Sequence, residues 1–313
     1  MFPSAVTFPS SDGKTTIHGT VWTPEGQPRG ILQVMHGVTE HMGRYQDFAA
    51  YFTGLGYVVC GISAAGHGES LYDGHMRGHF DSWAHVVADN LTMSAQMKAQ
   101  YGSPALPFYM IGFSMGSFVL RTIILEAGEQ KPADGYFLLG TGTQPVFLLR
   151  MIHRMMQKEC AACGPEACTD RVQAFAFSNY NQKIKNPESR ADWLLSDRAE
   201  REKYLNDPLV PEKISAGLFG EMLSGMIFCC DRKNRADVRE PVYLLSGQDD
   251  SVGDFGKGIT KTEALLKKQG FSQVSAVLFP HMRHDILHES DHEDVYEAIR
   301  KALEESQSGT AGH

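Results

Sequence analysis

The sequence has no long apolar run. A helix needs about 20 predominantly apolar residues to cross a bilayer, and no such stretch occurs. The first residues, Met1–Asp12, also lack the basic start and apolar core of a secretory signal. We therefore expect neither a membrane span nor an export signal, and the sequence favours a cytoplasmic protein.

The chain also has few cysteines and no excess of positive charge. Six cysteines among 313 residues are too few for a disulfide scaffold, so free thiols are expected. The net charge of -8 would be repelled by a phosphate backbone, which argues against general nucleic-acid binding. The hydrophobic fraction of 42% is ordinary for a globular protein with a sizeable core.

Short apolar runs alternate with longer segments of helical periodicity, which predicts a parallel sheet with helices on its faces. Each run is rich in Val, Ile, Leu, Tyr or Phe, as expected for a strand buried on both faces. The predicted core strands are Ile31–His36, Tyr57–Ile62, Phe108–Gly112, Tyr136–Leu139, Val242–Ser246 and Val274–Phe279. Before them, Ala5–Phe8 and Thr15–Thr23 flank a polar turn and predict an antiparallel edge hairpin, giving eight strands in all.

Helical patterns lie between these strands, and one long segment breaks the alternation. The predicted helices are Tyr45–Leu55, Ser82–Gln100, Met115–Glu126, Ile259–Gln269 and His292–Glu304, with a frayed end over Glu305–His313. Between about Gln144 and Glu240 the segment is too long for a loop and contains amphipathic patches. It is predicted to be a helical cap, residues 144–240, inserted into a core of residues 1–143 and 241–313.

A glycine-flanked serine follows the strand predicted at Phe108–Gly112. The segment Gly112-Phe113-Ser114-Met115-Gly116 then continues at helical spacing. A strand, G-x-S-x-G and a helix form the context of a nucleophile elbow, in which a strained turn exposes the serine hydroxyl. The glycines leave room where a Cβ would clash with the neighbouring strand or helix. We predict Ser114 as the nucleophile.

The nucleophile needs a histidine base and an acid that orients it. His284 is favoured because it follows the last predicted strand; His281 and His288 are nearby competitors, and a polar loop role is favoured for His281. Two adjacent carboxylates, Asp249 and Asp250, follow the preceding strand. Either gives the order serine, acid, histidine that an elbow of this kind requires.

The loop after the first core strand, His36–His41, can supply an oxyanion-hole amide. A second amide comes from the residue after the nucleophile, and the helix that starts there directs its N-terminal amides at a developing oxyanion. The candidates are the backbone N–H groups of Val38 and Met115.

Together these segments resemble the monoacylglycerol lipase and lysophospholipase group of α/β-hydrolases, especially its bacterial members. The resemblance rests on His36-Gly37-Val38-Thr39-Glu40-His41 with Arg44-Tyr45, Gly66-His67-Gly68-Glu69-Ser70, the elbow, Gly247-Gln248-Asp249-Asp250-Ser251-Val252-Gly253 and Arg283-His284. It implies the α/β-hydrolase fold, hydrolysis of a carboxylic ester on Ser114, and no cofactor or metal. It also implies Asp250 as the acid, with Asp249 solvated, and assigns the oxyanion amides to Val38 and Met115.

The sequence departs from this group ahead of Gly66. The group usually has an Asp and often a basic residue there, whereas this chain has Ser63-Ala64-Ala65. We expect the loss of an ion pair or hydrogen bond near that loop, without an effect on the three catalytic candidates.

The cap is the expected source of substrate contacts. Its apolar patches could bury an acyl chain at about 0.8 kcal/mol per methylene, or could simply pack on the domain beneath. The candidates for acyl contact are Phe147, Leu148, Met151, Leu218 and Met222. Basic residues could contact a lipid phosphate or an anionic membrane, although a solvated face is favoured; they are Arg150, His153, Arg154 and Lys158.

A metal site and two other functions are weaker interpretations. Cys160-Ala161-Ala162-Cys163 with Cys168 resembles a metal knuckle, but zinc usually takes four ligands and free thiols are favoured. An aminopeptidase would need a cap carboxylate for the substrate ammonium, for which the candidates are Glu159, Glu166 and Asp170. A non-catalytic binding protein is disfavoured by the order of Ser114, Asp250 and His284.

Overall fold

A computed structural model describes residues 2–72, 74–102 and 106–310 of the chain. Eight strands form one sheet: β1 (Phe2–Pro9), β2 (Thr16–Thr23), β3 (Gly30–Met35), β4 (Tyr57–Ser63), β5 (Phe108–Phe113), β6 (Gly135–Leu139), β7 (Val242–Gly247) and β8 (Val274–Phe279). Their spatial order is β1-β2-β4-β3-β5-β6-β7-β8. The first two strands pair antiparallel, β2 pairs antiparallel with β4, and all other pairs are parallel. The predicted mostly parallel, eight-stranded α/β sheet is confirmed.

Helices cover both faces of the sheet. Outside the segment between β6 and β7 they are α1 (Gln46–Gly54), α2 (Trp83–Tyr101), α3 (Met115–Ala127), α9 (Lys257–Gln269) and α10 (His292–Thr310). Val58 and Cys60 of β4 face one core, which includes apolar residues of α2 and α3. Val59 between them faces the other core, which includes residues of α1 and α10. This alternation follows from the period of two along a strand.

Two sequence expectations about the C-terminal elements are wrong. Strand β8 was expected to be buried on both faces, but Ser275–Leu278 are exposed, with Val277 and Leu278 each 41% exposed. The reason is position, since β8 is the last strand of the sheet and has a neighbour on one side only. Helix α10 does not fray from Glu305 but continues to Thr310, and the remaining residues, 311–313, lie outside the described part of the chain.

The segment between β6 and β7 is helical. It contains α4 (Val146–Cys163), α5 (Asp170–Gln173), a π-helical turn (Ala174–Ser178), α6 (Asn179–Asn181), α7 (Arg198–Asn206) and α8 (Ala216–Cys230). Helix α4 packs on α8, and α8 packs on α3 of the core. The inserted cap, residues 144–240, stays a prediction as a separate domain.

Within the described residues, no helix is both long enough and apolar enough to cross a membrane.

Candidate active site

Ser114 occupies a strained turn between β5 and α3. Its backbone φ is 51° and its ψ is -115°, a combination that non-glycine residues rarely adopt. The Ser114 amide donates to the carbonyl of Leu139 at 2.9 Å, which fixes the turn to the neighbouring strand. A Cβ at Gly116 would overlap the carbonyl of Met35, and one at Gly112 would overlap the backbone of Gly116. The expected reason for the two flanking glycines is thus confirmed.

The structure brings Ser114, His284 and Asp250 together at the carboxyl ends of parallel strands. The Nε2 atom of His284 lies 2.9 Å from the hydroxyl oxygen of Ser114, and its Nδ1 lies 2.9 Å from Asp250 Oδ2. Asp250 is fully buried and also accepts from the amide of Val252 at 2.8 Å. This geometry lets Nδ1–H donate to the carboxylate while Nε2 accepts the serine proton.

The competing candidates for the base and the acid lie outside this chain of hydrogen bonds. His281 is exposed, with a positive φ of 63°, and Asp249 is exposed on the turn after β7. His288 Nδ1 instead lies 2.8 Å from Asp285 Oδ1 and can donate its proton to that carboxylate.

The electrostatic surroundings of His284 favour its role as a base. Burial of the imidazole disfavours its cation, but the Asp250 carboxylate outweighs burial and raises the pKa of His284 above the ordinary histidine value. A base with a raised pKa binds the serine proton more strongly during attack.

The candidate oxyanion amides belong to residues next to Ser114, one across the cavity lining and one following it in the chain. Val38 lines the narrow cavity at Ser114, and Met115 is the first residue of α3. Among the residues that the structure describes, neither the Val38 nor the Met115 amide donates a hydrogen bond. Two donors beside a nucleophile, one of them at a helix N-terminus, can stabilise a developing oxyanion.

Histidines fix the backbone that carries Val38. His67 Nε2 lies 2.7 Å from the Val38 carbonyl, and His36 Nε2 accepts from the Ala64 amide at 2.9 Å. The Ser70 hydroxyl donates to the Ser63 carbonyl at 2.7 Å. The Ser63-Ala64-Ala65 segment is therefore held by these hydrogen bonds, while the loss of an ion pair or hydrogen bond relative to the family stays a prediction.

A buried ionic network joins the Val38 loop to the His284 loop. Glu40 accepts from the Gly37 amide and from Arg44 Nη1, the latter at 2.8 Å. Arg44 Nη2 donates to Asp285 at 2.9 Å, and Asp285 follows His284 in the chain. Burial raises the pKa of Asp285, but the neighbouring His288 and Arg44 together outweigh burial and hold that pKa below the ordinary aspartate value.

This network also contains the one group of potential metal ligands found among the described residues. One ligand atom each from Glu40, Asp285 and His288 lies within 4.8 Å of the others. Both carboxylates already accept from Arg44, whose guanidinium supplies the positive charge that a metal would otherwise provide.

The space over Ser114 is narrow, and Trp193 forms one of its walls. The cavity there has a volume of ≈ 10 Å³. The ring of Trp193 lies 5.4 Å from that of His284, centre to centre. An adjoining cavity of ≈ 410 Å³ shares Thr39, Trp193 and Tyr204 with it. Sequence reasoning missed Trp193 because it lies on an irregular turn, where neither helical nor strand periodicity marks a side chain.

The five apolar cap candidates do not line either of these cavities. Phe147 and Met151 are 76% and 52% exposed on α4, whereas Leu218 is fully buried. Leu148 and Met222 are half-buried. Leu218 thus follows the alternative interpretation, an apolar helix face that packs on the protein beneath it.

The three cysteines of the possible metal knuckle are free thiols. Cys160 and Cys163 lie at the end of α4, where Cys163 is exposed, and Cys168 Sγ lies 3.7 Å from Met76 Sδ. Among the described residues these cysteines are not part of a metal-ligand group.

Comparison with known proteins gives consistent matches over most of the chain. A family described as "Serine aminopeptidase, S33" matches residues 26–291. A monoacylglycerol lipase of Mycolicibacterium smegmatis is 36% identical over 288 residues, which cover 89% of this chain and 89% of that protein. The monoglyceride lipase of Homo sapiens is 29% identical over 255 residues, covering 79% of this chain and 74% of the relative.

The fold has close structural matches. A thermostable carboxyl esterase from Bacillus coagulans, solved with glycerol, superimposes with a TM-score of 0.86 at 25% identity. The match covers 97% of this chain and 98% of the esterase.

Proposed function

Since this chain belongs to the serine aminopeptidase S33 family of α/β-hydrolases and is an ester-hydrolysing serine hydrolase, we propose that it cleaves monoacylglycerols through an acyl-enzyme on Ser114. The observation that carries the proposal is the double contact of His284, 2.9 Å from both Ser114 and Asp250. The long matches to monoacylglycerol lipases support the choice of ester.

The first half of the proposed reaction forms the acyl-enzyme. The Ser114 oxygen attacks the ester carbonyl carbon while its proton passes to His284 Nε2. The carbonyl oxygen becomes an anion, to which the amides of Val38 and Met115 donate. The C–O bond to the alcohol then breaks, and the same proton moves from His284 to the leaving oxygen.

The second half releases the acid. A water molecule gives a proton to His284 and attacks the acyl carbon, and the Val38 and Met115 amides again hold the oxyanion. The bond to Ser114 breaks, and His284 returns the proton to the serine oxygen. Asp250 stays ionised throughout and stabilises the imidazolium that forms in each half.

A fluorophosphonate probe tests this mechanism directly. Wild-type protein should be labelled, and Ser114→Ala should not. Ser224→Ala is a matched control, because the Ser224 hydroxyl also lies within 3.2 Å of a histidine, His153, but away from the site. Loss of labelling in Ser224→Ala with retention in Ser114→Ala would contradict the proposal.

An aminopeptidase function is not favoured. Of the cap carboxylates that could hold a substrate ammonium, Glu159 is buried and paired with Arg171 at 3.1 Å. Glu166 lies 2.8 Å from His75 Nδ1, and only Asp170 of the three lines the cavity next to Ser114. Faster hydrolysis of aminoacyl anilides than of any acyl ester would reverse this choice. The joined side chains of Ser114, His284 and Asp250 also argue against a non-catalytic binding protein.

Peripheral membrane contact is part of the proposal. Phe147 and Met151 are exposed on α4, and the exposed basic residues Arg150, Arg154 and Lys158 lie at helical spacing from them. Exposed apolar side chains among basic ones suit the surface of an anionic bilayer. After sedimentation with anionic vesicles, the wild type should be found in the pellet with the lipid. The double variant Phe147→Ser/Met151→Ser should stay in the supernatant. Equal recovery of both would contradict this contact.

A cytoplasmic location is also proposed. All six cysteines are free thiols, including the exposed Cys163, and a reducing compartment keeps thiols in that state. Fractionation of cells that produce the protein from its native gene tests this location, and recovery with secreted proteins would contradict it.

A further inference from the structure

Two irregular segments meet at the space over Ser114. The wall turn, residues 192–197, contains Trp193, and the base loop, residues 283–289, contains His284; both of these side chains line that space. Neither segment lies in a helix or a strand. Because no regular ladder of backbone hydrogen bonds fixes them, their positions depend on the bonds that they make with other parts of the chain.

The wall turn and the base loop are bonded to each other on both sides of their central residues. The Asp285 amide donates to the Leu194 carbonyl at 2.9 Å. The Nη1 group of Arg283 donates to the Asp192 carbonyl. The two donors are the chain neighbours of the histidine, and the two acceptors are the chain neighbours of the tryptophan. A shift of either segment therefore breaks hydrogen bonds to the other.

Glu289 joins the same two segments through its side chain. It is 1% exposed. Its Oε1 atom accepts from the amides of Arg283 and Ser196, both at 2.9 Å. Its Oε2 atom accepts from the Ser196 hydroxyl at 2.6 Å and from the Asp197 amide at 3.3 Å. One buried carboxylate thus bonds the beginning of the base loop to the end of the wall turn.

We propose that Glu289 is a positioning residue that sets both the orientation of His284 toward the nucleophile and, through Trp193, the room for the alcohol part of the ester. Glu289 lines neither cavity, so it acts on the reaction through the two segments that it holds. The inference rests on the proposed ester hydrolysis and adds to it a residue that determines specificity.

Glu289→Gln tests this role with little change in shape. The new amide keeps one oxygen acceptor, and the Ser196 hydroxyl can rotate to accept from its NH₂ group, but the Asp197 amide loses its acceptor. A small displacement of a catalytic group can cost up to about 100-fold in rate. We expect kcat to fall by about 10-fold with KM within about 2-fold, and the ratio of kcat/KM for bulky alcohol esters to that for methyl esters to rise about 3-fold.

Asp89→Asn is the matched control. Asp89 is also 1% exposed and accepts from a hydroxyl and an amide, those of Ser10 and Ser11, at 2.6 and 2.8 Å. It lines neither cavity. Urea unfolding should show that both variants are destabilised, while kcat and the ester ratio change only in Glu289→Gln. A destabilised Glu289→Gln with the kcat and ester ratio of the wild type would reduce Glu289 to a structural role and overturn the proposal.

A double variant tests whether the change in specificity acts through Trp193. Trp193→Ala with Glu289→Gln should have the same ester ratio as Trp193→Ala alone, because the wall is already absent. Its kcat should still be lower than that of Trp193→Ala, because the orientation of His284 is still disturbed. A further rise of the ester ratio in the double variant would contradict transmission through the tryptophan.

Hydrogen exchange separates this inference from the proposed function, since it does not require activity. In Glu289→Gln the amides of residues 192–197 and 283–289 should exchange faster together, and in Asp89→Asn neither segment should change. Faster exchange in only one segment would overturn the link. If the wild type hydrolyses no ester and Ser114 is not labelled, the proposed function fails, whereas exchange still decides whether Glu289 joins the two segments.

Discussion

The indole ring of Trp193 lies 5.4 Å from the imidazole of His284, centre to centre, at an interplanar angle of 40°. The two residues are far apart in the chain, and the contact places a residue from the segment between β6 and β7 directly against the proposed base. The Trp193 amide donates to Asn181 Oδ1 at 3.0 Å, and its ring packs between Phe177 and Tyr180. Trp193 thereby limits both the space and the water around His284.

Replacement of Trp193 should broaden the substrate range. Trp193→Ala would open the wall between the two cavities, so kcat/KM for esters of bulky alcohols should rise relative to methyl esters. The loss of a buried aromatic side chain should also lower the free energy of unfolding by about 3 kcal/mol. Rates on a series of alcohols and urea unfolding measure the two effects. Trp193→Phe is the control, and an unchanged ratio in Trp193→Ala would contradict the role of the wall.

The pH dependence of kcat/KM should report the raised pKa of His284. The base must be neutral, so activity should fall as the pH drops through that pKa, with a midpoint above the usual value of about 6.5. In Asp250→Asn the carboxylate is lost while burial remains, and burial lowers the pKa. In this variant the fall of kcat/KM on the acid side of the pH profile should therefore occur at lower pH, and kcat should be lower by about 10⁴-fold.

Profiles of wild type and Asp250→Asn on one water-soluble ester provide this measurement. Asp249→Asn is the matched control, since Asp249 is exposed on the same turn. A midpoint that moves in Asp249→Asn but not in Asp250→Asn would show that the wrong carboxylate has been assigned.

Glu40→Gln should impair both stability and turnover. The variant leaves Arg44 buried with one of its two carboxylate partners, and breaking a buried ion pair costs about 3 kcal/mol. The Gly37 amide next to Val38 also loses a charged acceptor, so kcat should fall more than KM rises. Glu297→Gln, which breaks an exposed ion pair on α10, should change neither quantity. A normal kcat in a destabilised Glu40→Gln would restrict the network to a structural role.

Arg121 should tie the loop before α4 and the end of α8 to α3. It is fully buried, and its guanidinium donates to the carbonyls of Gly142 at 2.8 Å and Cys229 at 2.9 Å. Arg121→Met leaves both carbonyls without this donor and should lower the free energy of unfolding by about 2 kcal/mol.

Proteolysis distinguishes this role from a general effect on folding. Arg121→Met should be cleaved faster than wild type within residues 144–240, at denaturant concentrations where the rest of the chain stays folded. Arg121→Lys keeps the charge but lacks the forked donor, so it should behave like Arg121→Met. Wild-type behaviour of Arg121→Lys would show that the charge alone is required.

The sheet, the elbow and the order of the candidate groups can be read from local patterns in the sequence. Alternating apolar patterns and turn residues report local backbone conformation, which is why β3–β7 and the helices around Ser114 lie close to their predicted bounds. The choice of Gly at 112 and 116 was also readable, because the close approach of backbone at an elbow leaves no space for a Cβ. The choice of Asp250 over Asp249 required the family resemblance, since adjacent carboxylates have the same local pattern.

Which distant side chains meet depends instead on how the elements pack in three dimensions. The exposure of β8 depends on its place at the sheet edge, and the contacts of Trp193 and Arg121 depend on how the helices between β6 and β7 pack on the rest of the chain. The cavity of ≈ 410 Å³ beside Trp193 likewise combines residues from several separate turns and short helices. The periodicity of the sequence shows which face of a helix or strand is apolar. Which other element that face contacts depends on the packing of the whole chain.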